Sequence, residues 1–234
     1  MHRYLKFDYT YIILSGRQIF EPMVIVTNFI LLLISIYCFS QLVKFRSAYP
    51  SQMAWFIIIM GVSGCFGAAA HAMHYQYGKT IFNVIFFISN TLNLMAIYFC
   101  FKGSYTYSSL TGKPLNKKFS AFVLAWVGVL VIITLINNTF LLIKIHAGIA
   151  LVYSLIVHYM GYKKNNDRGS RVVVTGIGIS FLSIVVHSLH ISLHEWFNYK
   201  DIAHVIMIVA LIIIYRGIRM NAEQSGTAPP LNPF

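Results

Sequence analysis

Charge is scarce in this chain. Only 10% of its 234 residues are charged, and just six are Asp or Glu. A water-exposed globular domain draws about a quarter of its residues from those types, so an ordinary soluble surface is excluded. Cysteine is also sparse. Cys38, Cys65 and Cys100 each fall inside an apolar run, which favours small buried hydrophobes over a disulfide framework or a cysteine metal site. A cleavable leader is not expected either. Met1–Arg17 is mixed and Tyr-rich, with no uniform apolar core and no small-residue cleavage site, so the first spanning helix is expected to act as the insertion signal. No internal repeat is visible.

Apolar residues fill the space left by charge. They make up 58% of the chain, and the mean hydropathy is +0.69. Runs near the 20 or so residues that cross a bilayer can be placed at 20–43, 53–75, 80–101, 119–136, 139–161, 171–195 and 199–219. The expected fold is all-α, a seven-helix transmembrane bundle that takes up 1–219 as one domain. The segment 220–234, with Pro229, Pro230 and Pro233, is expected to be a disordered cytoplasmic tail. Asn137 and Asn138 leave room for only a tight turn between spans four and five. Gly61, Gly64, Gly67, Gly176 and Gly178 sit where small residues let helices approach closely.

The net charge of +12 suggests nucleic acid until its residues are placed. One side of the predicted bundle carries Arg3, Lys6, Arg17, Lys79 and Lys200. The other carries Lys44, Arg46, Lys102, Lys113, Lys117, Lys118, Lys163, Lys164, Arg168, Arg171, Arg216 and Arg219. Five against twelve is the distribution the positive-inside rule produces, with the N-terminus outside and the tail in the cytoplasm. No nucleic-acid partner is implied. The partners expected are membrane lipid and a lipid or small-molecule substrate.

The chemistry-bearing residues gather toward the outward side. Spans two, three, five, six and seven bring His71, Asn83, His146, His187 with His190 and His194, and Asp201 with His204 toward that level, and Glu21 opens span one. On a continuing helix His187, His190 and His194 share one face. Only His158 lies toward the other end. Ionisable groups at membrane depth are costly and mark function by default. Three imidazoles can hold a catalytic zinc with one position open, and a carboxylate such as Asp201 or Glu21 can orient a ligand or shuttle a proton. Lone membrane histidines also serve as interhelical hydrogen-bonding groups, the reading given to His74, His158 and His194. Asn28, Asn83, Asn90 and Asn93 are expected to form a buried polar network.

With Glu21 opening span one, Gly67-Ala-Ala-Ala-His71 closing span two and Asp201-Ile-Ala-His204 opening span seven, the chain resembles the CREST superfamily. That group of seven-helix membrane proteins includes the alkaline ceramidases and the adiponectin and progestin receptors. The resemblance implies a zinc-dependent hydrolase of a lipid amide or ester. His71 and His204 would be ligands, and His187, His190 or His146 the third. Asp201 would be a ligand or proton shuttle, and Asn83 stands near the place of a helix-three Asp. Gly67 replaces the family's Ser, and His204 has Lys200 and Ile208 rather than a second His four residues away. The outward N-terminus matches the ceramidase branch, and a bacterial plasma membrane is the expected location. A receptor, sensor or transport protein with a His-lined cavity, or a b-haem electron carrier, remain as alternatives.

Overall fold

The computed structural model describes residues 10–110, 112 and 117–224, without the side chains of 74–77 and 117. Seven helices are long and apolar enough to cross a membrane: α1 Pro22–Leu42, α2 Ala48–Met73, α3 Gly78–Leu110, α4 Lys118–Ile136, α5 Phe140–Asn165, α6 Arg168–Leu189 and α7 Tyr199–Gln224. Each expected span has its helix. Three ends differ. Helix α3 runs nine residues past the expected 101, α7 continues through Gln224 rather than stopping at 219, and α6 stops at Leu189 rather than 195. The expected disordered tail is thus corrected for its first five residues; 225–234 lie outside the described residues.

The chain is not purely α. Tyr11–Leu14 (β1) and Arg17–Phe20 (β2) pair antiparallel, with Leu14 opposite Arg17. The turn between them is Ser15-Gly16, with φ of 52° and 76°. Positive φ at both central residues matches the twist of a two-residue hairpin, and glycine takes it without a Cβ penalty.

Successive helices run in opposite directions, as side-chain pairs show. Between α2 and α3, Ser63 Oγ donates to the Ser89 carbonyl and Ser89 Oγ to that of Ser63, both at 2.9 Å. Gly78, at φ 77°, breaks the helical path where the chain reverses between these two helices. Helix α1 packs on α2 and also runs parallel to α7, where Tyr37 meets Tyr215 at 6.1 Å. One core, built around Leu31, Met53, Ile57, Ile177, Leu211 and Ile218, joins these helices to α6. A second, around Leu94, Phe101, Val127 and Ile143, seats α4 and α5 on α3.

Close backbone approach is concentrated at the α6–α7 crossing, where the two helices are in extensive contact. A Cβ at Gly176 would come within 2.9 Å of the Ile214 nitrogen, and one at Gly217 within 2.6 Å of the Gly169 carbonyl oxygen. Backbone cannot yield there as a side-chain tip would. Gly176→Leu is therefore expected to cost roughly 1–3 kcal/mol, read as a lower midpoint of thermal unfolding in detergent. Gly178→Ala, where a Cβ meets nothing within 4 Å, should leave the midpoint in place; Gly178 is not the packing glycine expected.

Away from these cores the helices show apolar residues outward. Phe122 is 65% exposed, Leu135 63% and Leu141 63%. An apolar outer face of this extent is unlike that of a soluble monomer.

Candidate functional site

Glu21 stands at the turn between hairpin and α1. Its backbone N–H donates to the Thr10 carbonyl at 2.8 Å, closing the base of the hairpin. Pro22 takes the first helical turn, where its missing N–H costs nothing. Glu21 itself is left-handed, with φ 49°, and its side chain does not cap the helix. Such a conformation costs a non-glycine residue about 1–3 kcal/mol and tends to occur where function requires it. Here it turns the carboxylate inward, to 5% exposure.

Two cations or potential cations meet that carboxylate. Lys200 Nζ donates to Oε1 at 2.6 Å and Oε2 at 2.7 Å. His71 Nδ1, from the last turn of α2, lies 3.3 Å from Oε2. His71 is also edge-on to Phe82 and Phe86 of α3. Breaking a buried pair by removing one partner is far costlier than the pair is stabilising, so Glu21 and Lys200 fix each other and tie the start of α1 to the start of α7.

His204 sits one turn further along α7. Its Nδ1 lies 3.2 Å from Thr27 Oγ1 and 3.2 Å from Asn28 Nδ2. Thr27 Oγ1 gives its proton to a backbone carbonyl, Met23 at 3.0 Å or Val24 at 3.2 Å. The Asn28 amide nitrogen can only donate, so His204 Nδ1 accepts from it at 3.2 Å. A carboxylate or hydroxyl beside a ring nitrogen, as Glu21 is to His71 and Thr27 to His204, is the kind of outer partner found behind zinc-binding imidazoles. His71, His187 and Lys200 all lie within electrostatic reach of His204.

Asp201 is fully buried, and its first role is structural. Asn198 Oδ1 accepts from Lys200 N–H at 2.9 Å, and Asp201 Oδ2 accepts from Asn198 N–H at 2.9 Å. This is a reciprocal cap on the first turn of α7. The other carboxylate oxygen, Oδ1, has no hydrogen-bond partner and lies on the same helix turn as Lys200 and His204.

The remaining expected residues are placed less uniformly. His187 rests edge-on against Tyr199 at 5.2 Å and near Phe140 at 5.8 Å, its Nδ1 unpartnered. His190 is the left-handed residue that ends α6. It is exposed, against Tyr199 at 4.5 Å. His194 lies beyond, in a bridge to Phe197. The shared helix face of His187, His190 and His194 is thus corrected, because the helix stops before the second of them. His146 is corrected too. It is buried against Phe101 at 5.7 Å in the second core, with neither ring nitrogen bonded, apart from the Glu21 cluster. Asn83 is exposed and enters no site. Its carbonyl accepts from Asn138 Nδ2 at 2.9 Å, and Asn90 donates to Asn138 Oδ1 at 2.8 Å. Asn28 belongs to the His204 pair instead, so the asparagines do not form one network. The side chain of His74 lies outside the described residues.

The donor types fit zinc at His71 and His204, imidazoles each with an oxygen beside one ring nitrogen. Among the described residues no three His, Cys, Asp or Glu donors are gathered as a finished site. Sequence reading missed Lys200, Thr27 and the capping role of Asn198. The Asn198-Tyr-Lys-Asp201 spacing carried a signal for the last; nothing local marked the first two.

A second polar cluster lies at the opposite end of the bundle. Tyr49 OH is 3.4 Å from His158 Nε2, and His158 Nδ1 is 3.0 Å from Ser170 Oγ. Ser170 donates to Tyr107 OH at 2.7 Å, and Tyr107 donates to Asp167 Oδ2 at 2.5 Å. Because Ser170 spends its proton on Tyr107, it accepts from His158 Nδ1–H, and Nε2 accepts from Tyr49. Every donor in the chain points toward Asp167. Asp167 Oδ1 meanwhile caps α6 by accepting from Gly169 N–H at 2.9 Å. His158 is therefore the interhelical hydrogen-bonding residue expected, stacked on Tyr107 at 4.3 Å.

Among known proteins, one family profile, described as "Family of unknown function (DUF6962)", matches residues 23–223. No curated protein and no solved structure matches the chain.

Proposed function

We propose that this chain, which belongs to the family of unknown function DUF6962, is an integral membrane hydrolase that cleaves a lipid amide or ester at the Glu21–His71–His204 cluster. The seven helices would span a plasma membrane, with the hairpin end outward and the more basic end in the cytoplasm. The observation that carries the reading is the convergence of α1, α2 and α7 on one cluster of ionisable side chains. Glu21 bonds Lys200 and lies 3.3 Å from His71, and Thr27 and Asn28 meet His204.

His71 and His204 would hold zinc through ring nitrogens, with His187 as the third imidazole. When bound, zinc supplies Lewis acidity toward a carbonyl and toward water. The rest of the work falls to side chains. Glu21, bonded to the Lys200 ammonium, would orient the His71 ring. Thr27 and Asn28 would orient that of His204. Asp201 Oδ1, buried and unpartnered, is the acceptor for a proton leaving water and its donor to the departing amine or alcohol. The CREST resemblance points to the same reaction class and supplies the lipid amide or ester as substrate.

The test uses purified protein in lipid nanodiscs, supplied with a panel of N-acyl lipids and acyl esters. Release of free fatty acid that stops on adding a strong chelator and returns with zinc is expected. Folded, zinc-supplemented protein that releases no acid from any member of the panel would count against hydrolysis.

A further inference from the structure

A lysine inside a membrane-crossing helix needs a reason, because an ammonium at that depth is costly without a partner. Lys144 lies one turn into α5 from its start at Phe140, about 6 Å along the axis at 1.5 Å per residue. It is not on the outward apolar stripe of α5, where Leu141, Ile145 and Ile149 are 63%, 53% and 53% exposed. Lys144 is half-buried on the flank between that stripe and the core. Its Nζ rests 5.6 Å from the centre of the Phe140 ring. That ring is shared. His187 of α6 packs against it at 5.8 Å, so ammonium and imidazole flank one phenyl group, and Lys144 lies within electrostatic reach of His187.

The carboxylates of the cluster are committed elsewhere. Glu21 meets Lys200 and His71, and Asp201 Oδ2 caps α7. None of the carboxylate pairs among the described residues includes Lys144. An aromatic face offsets the cost of a half-buried ammonium only in part. A lysine that merely snorkels lays its stem along lipid-facing surface. Lys144 turns instead toward α6, where the third imidazole of the proposed zinc site stands. The charge that complements an ammonium placed there is an anion carried by the ligand of the cluster.

We infer that Lys144 is a recognition residue for an anionic substituent of the lipid substrate, a carboxylate or phosphate on the amine or alcohol side of the scissile bond. The acyl side is hydrocarbon and carries no charge, so the group that departs carries it. The substrate class narrows from any lipid amide or ester to one with a negative charge near the amide nitrogen or ester oxygen. N-acyl amino acids and lysophosphatidic acids are of this kind. The inference rests on the hydrolase reading above.

The test measures binding and turnover separately on purified protein in dodecyl maltoside. Three uncleavable ethers serve as binding probes: hexadecyl glycerol phosphate, hexadecyloxyacetate and neutral hexadecyl glycerol. The parent is expected to bind at least one anionic ether about tenfold more tightly than the neutral one, the lower end of what a hydrogen bond between charged groups contributes. Lys144→Met should remove that preference and Lys144→Arg should keep it. Equal affinity of the parent for all three ethers overturns the proposal without any variant, and a preference that survives Lys144→Met does so too. Displacement of the bound anion by phosphatidylcholine as readily as by itself would make Lys144 a contact of bilayer headgroups, and overturn it equally. Turnover by zinc-supplemented protein compares N-oleoylglycine with N-oleoylethanolamine, and oleoyl glycerol phosphate with oleoyl glycerol, which separates carboxylate from phosphate. Equal kcat/KM within both pairs would leave the hydrolase standing and remove this subsite. A Lys144-dependent binding preference with no turnover of any lipid would do the reverse.

Discussion

His204→Ala and His71→Ala are each expected to abolish bound zinc and lipid hydrolysis while leaving the chain folded. Both side chains approach the cluster from helix turns whose backbone does not depend on them. His71 is one-third exposed, so truncation leaves no large cavity. A milder variant separates holding the ion from orienting its ligand. Glu21→Gln keeps the shape and removes the charge behind His71, and loss of such an outer partner typically costs 10–100-fold in metal affinity or activity. The ordering expected is therefore His204→Ala and His71→Ala lowest, Glu21→Gln intermediate, and His190→Ala indistinguishable from the parent, because His190 sits exposed beyond the end of α6. Zinc by elemental analysis and fatty-acid release, measured on the same samples, check the order. Full zinc content in both alanine variants would remove the assignment of those two residues.

The second large effect is on stability and lies at the other end of the molecule. Tyr107→Phe deletes one hydroxyl, yet it leaves the Ser170 proton without an acceptor and one oxygen of Asp167 without its donor. Ser170 is fully buried and Tyr107 only 5% exposed, so water cannot take the Ser170 proton, whereas half-buried Asp167 can meet water. One unsatisfied buried group costs about 1–3 kcal/mol. A clear drop in the unfolding midpoint is expected, with zinc content unchanged because the cluster is remote from His71 and His204. Tyr159→Phe, on an exposed ring, is the matched control. Equal midpoints for the two variants would show that the directed chain from Tyr49 to Asp167 is not what holds this end.

Much of the architecture was legible before any coordinate, because a run of twenty apolar residues has few ways to satisfy its backbone other than as a helix. The failures have physical causes. Tyr11–Phe20 looked mixed because an apolar ribbon with two exposed faces has no alternation to detect, although Ser15-Gly16 was a turn signal in plain view. The end of α6 was missed because Leu189 is followed by His190 rather than glycine, and Ile191 and Leu193 prolong the apolar run past a left-handed residue. The site was half readable. Glu21, His71, Asp201 and His204 were singled out by being ionisable in apolar surroundings. Lys200 was counted as a loop charge, since nothing near it announces a partner 179 residues away. The same blindness hid the polar chain at the other end. Tyr, Ser and Asp are ordinary residues there, and only the fold aligns their protons.

The central claim is that His71 and His204 hold one zinc ion through their imidazole nitrogens. X-ray absorption at the zinc edge of the purified protein addresses it directly. One zinc per chain with imidazole nitrogens at about 2.0–2.1 Å is expected, with the imidazole signal lost in His71→Ala and His204→Ala. A zinc-loaded sample with no imidazole ligation, or with a signal unchanged by both substitutions, would contradict it.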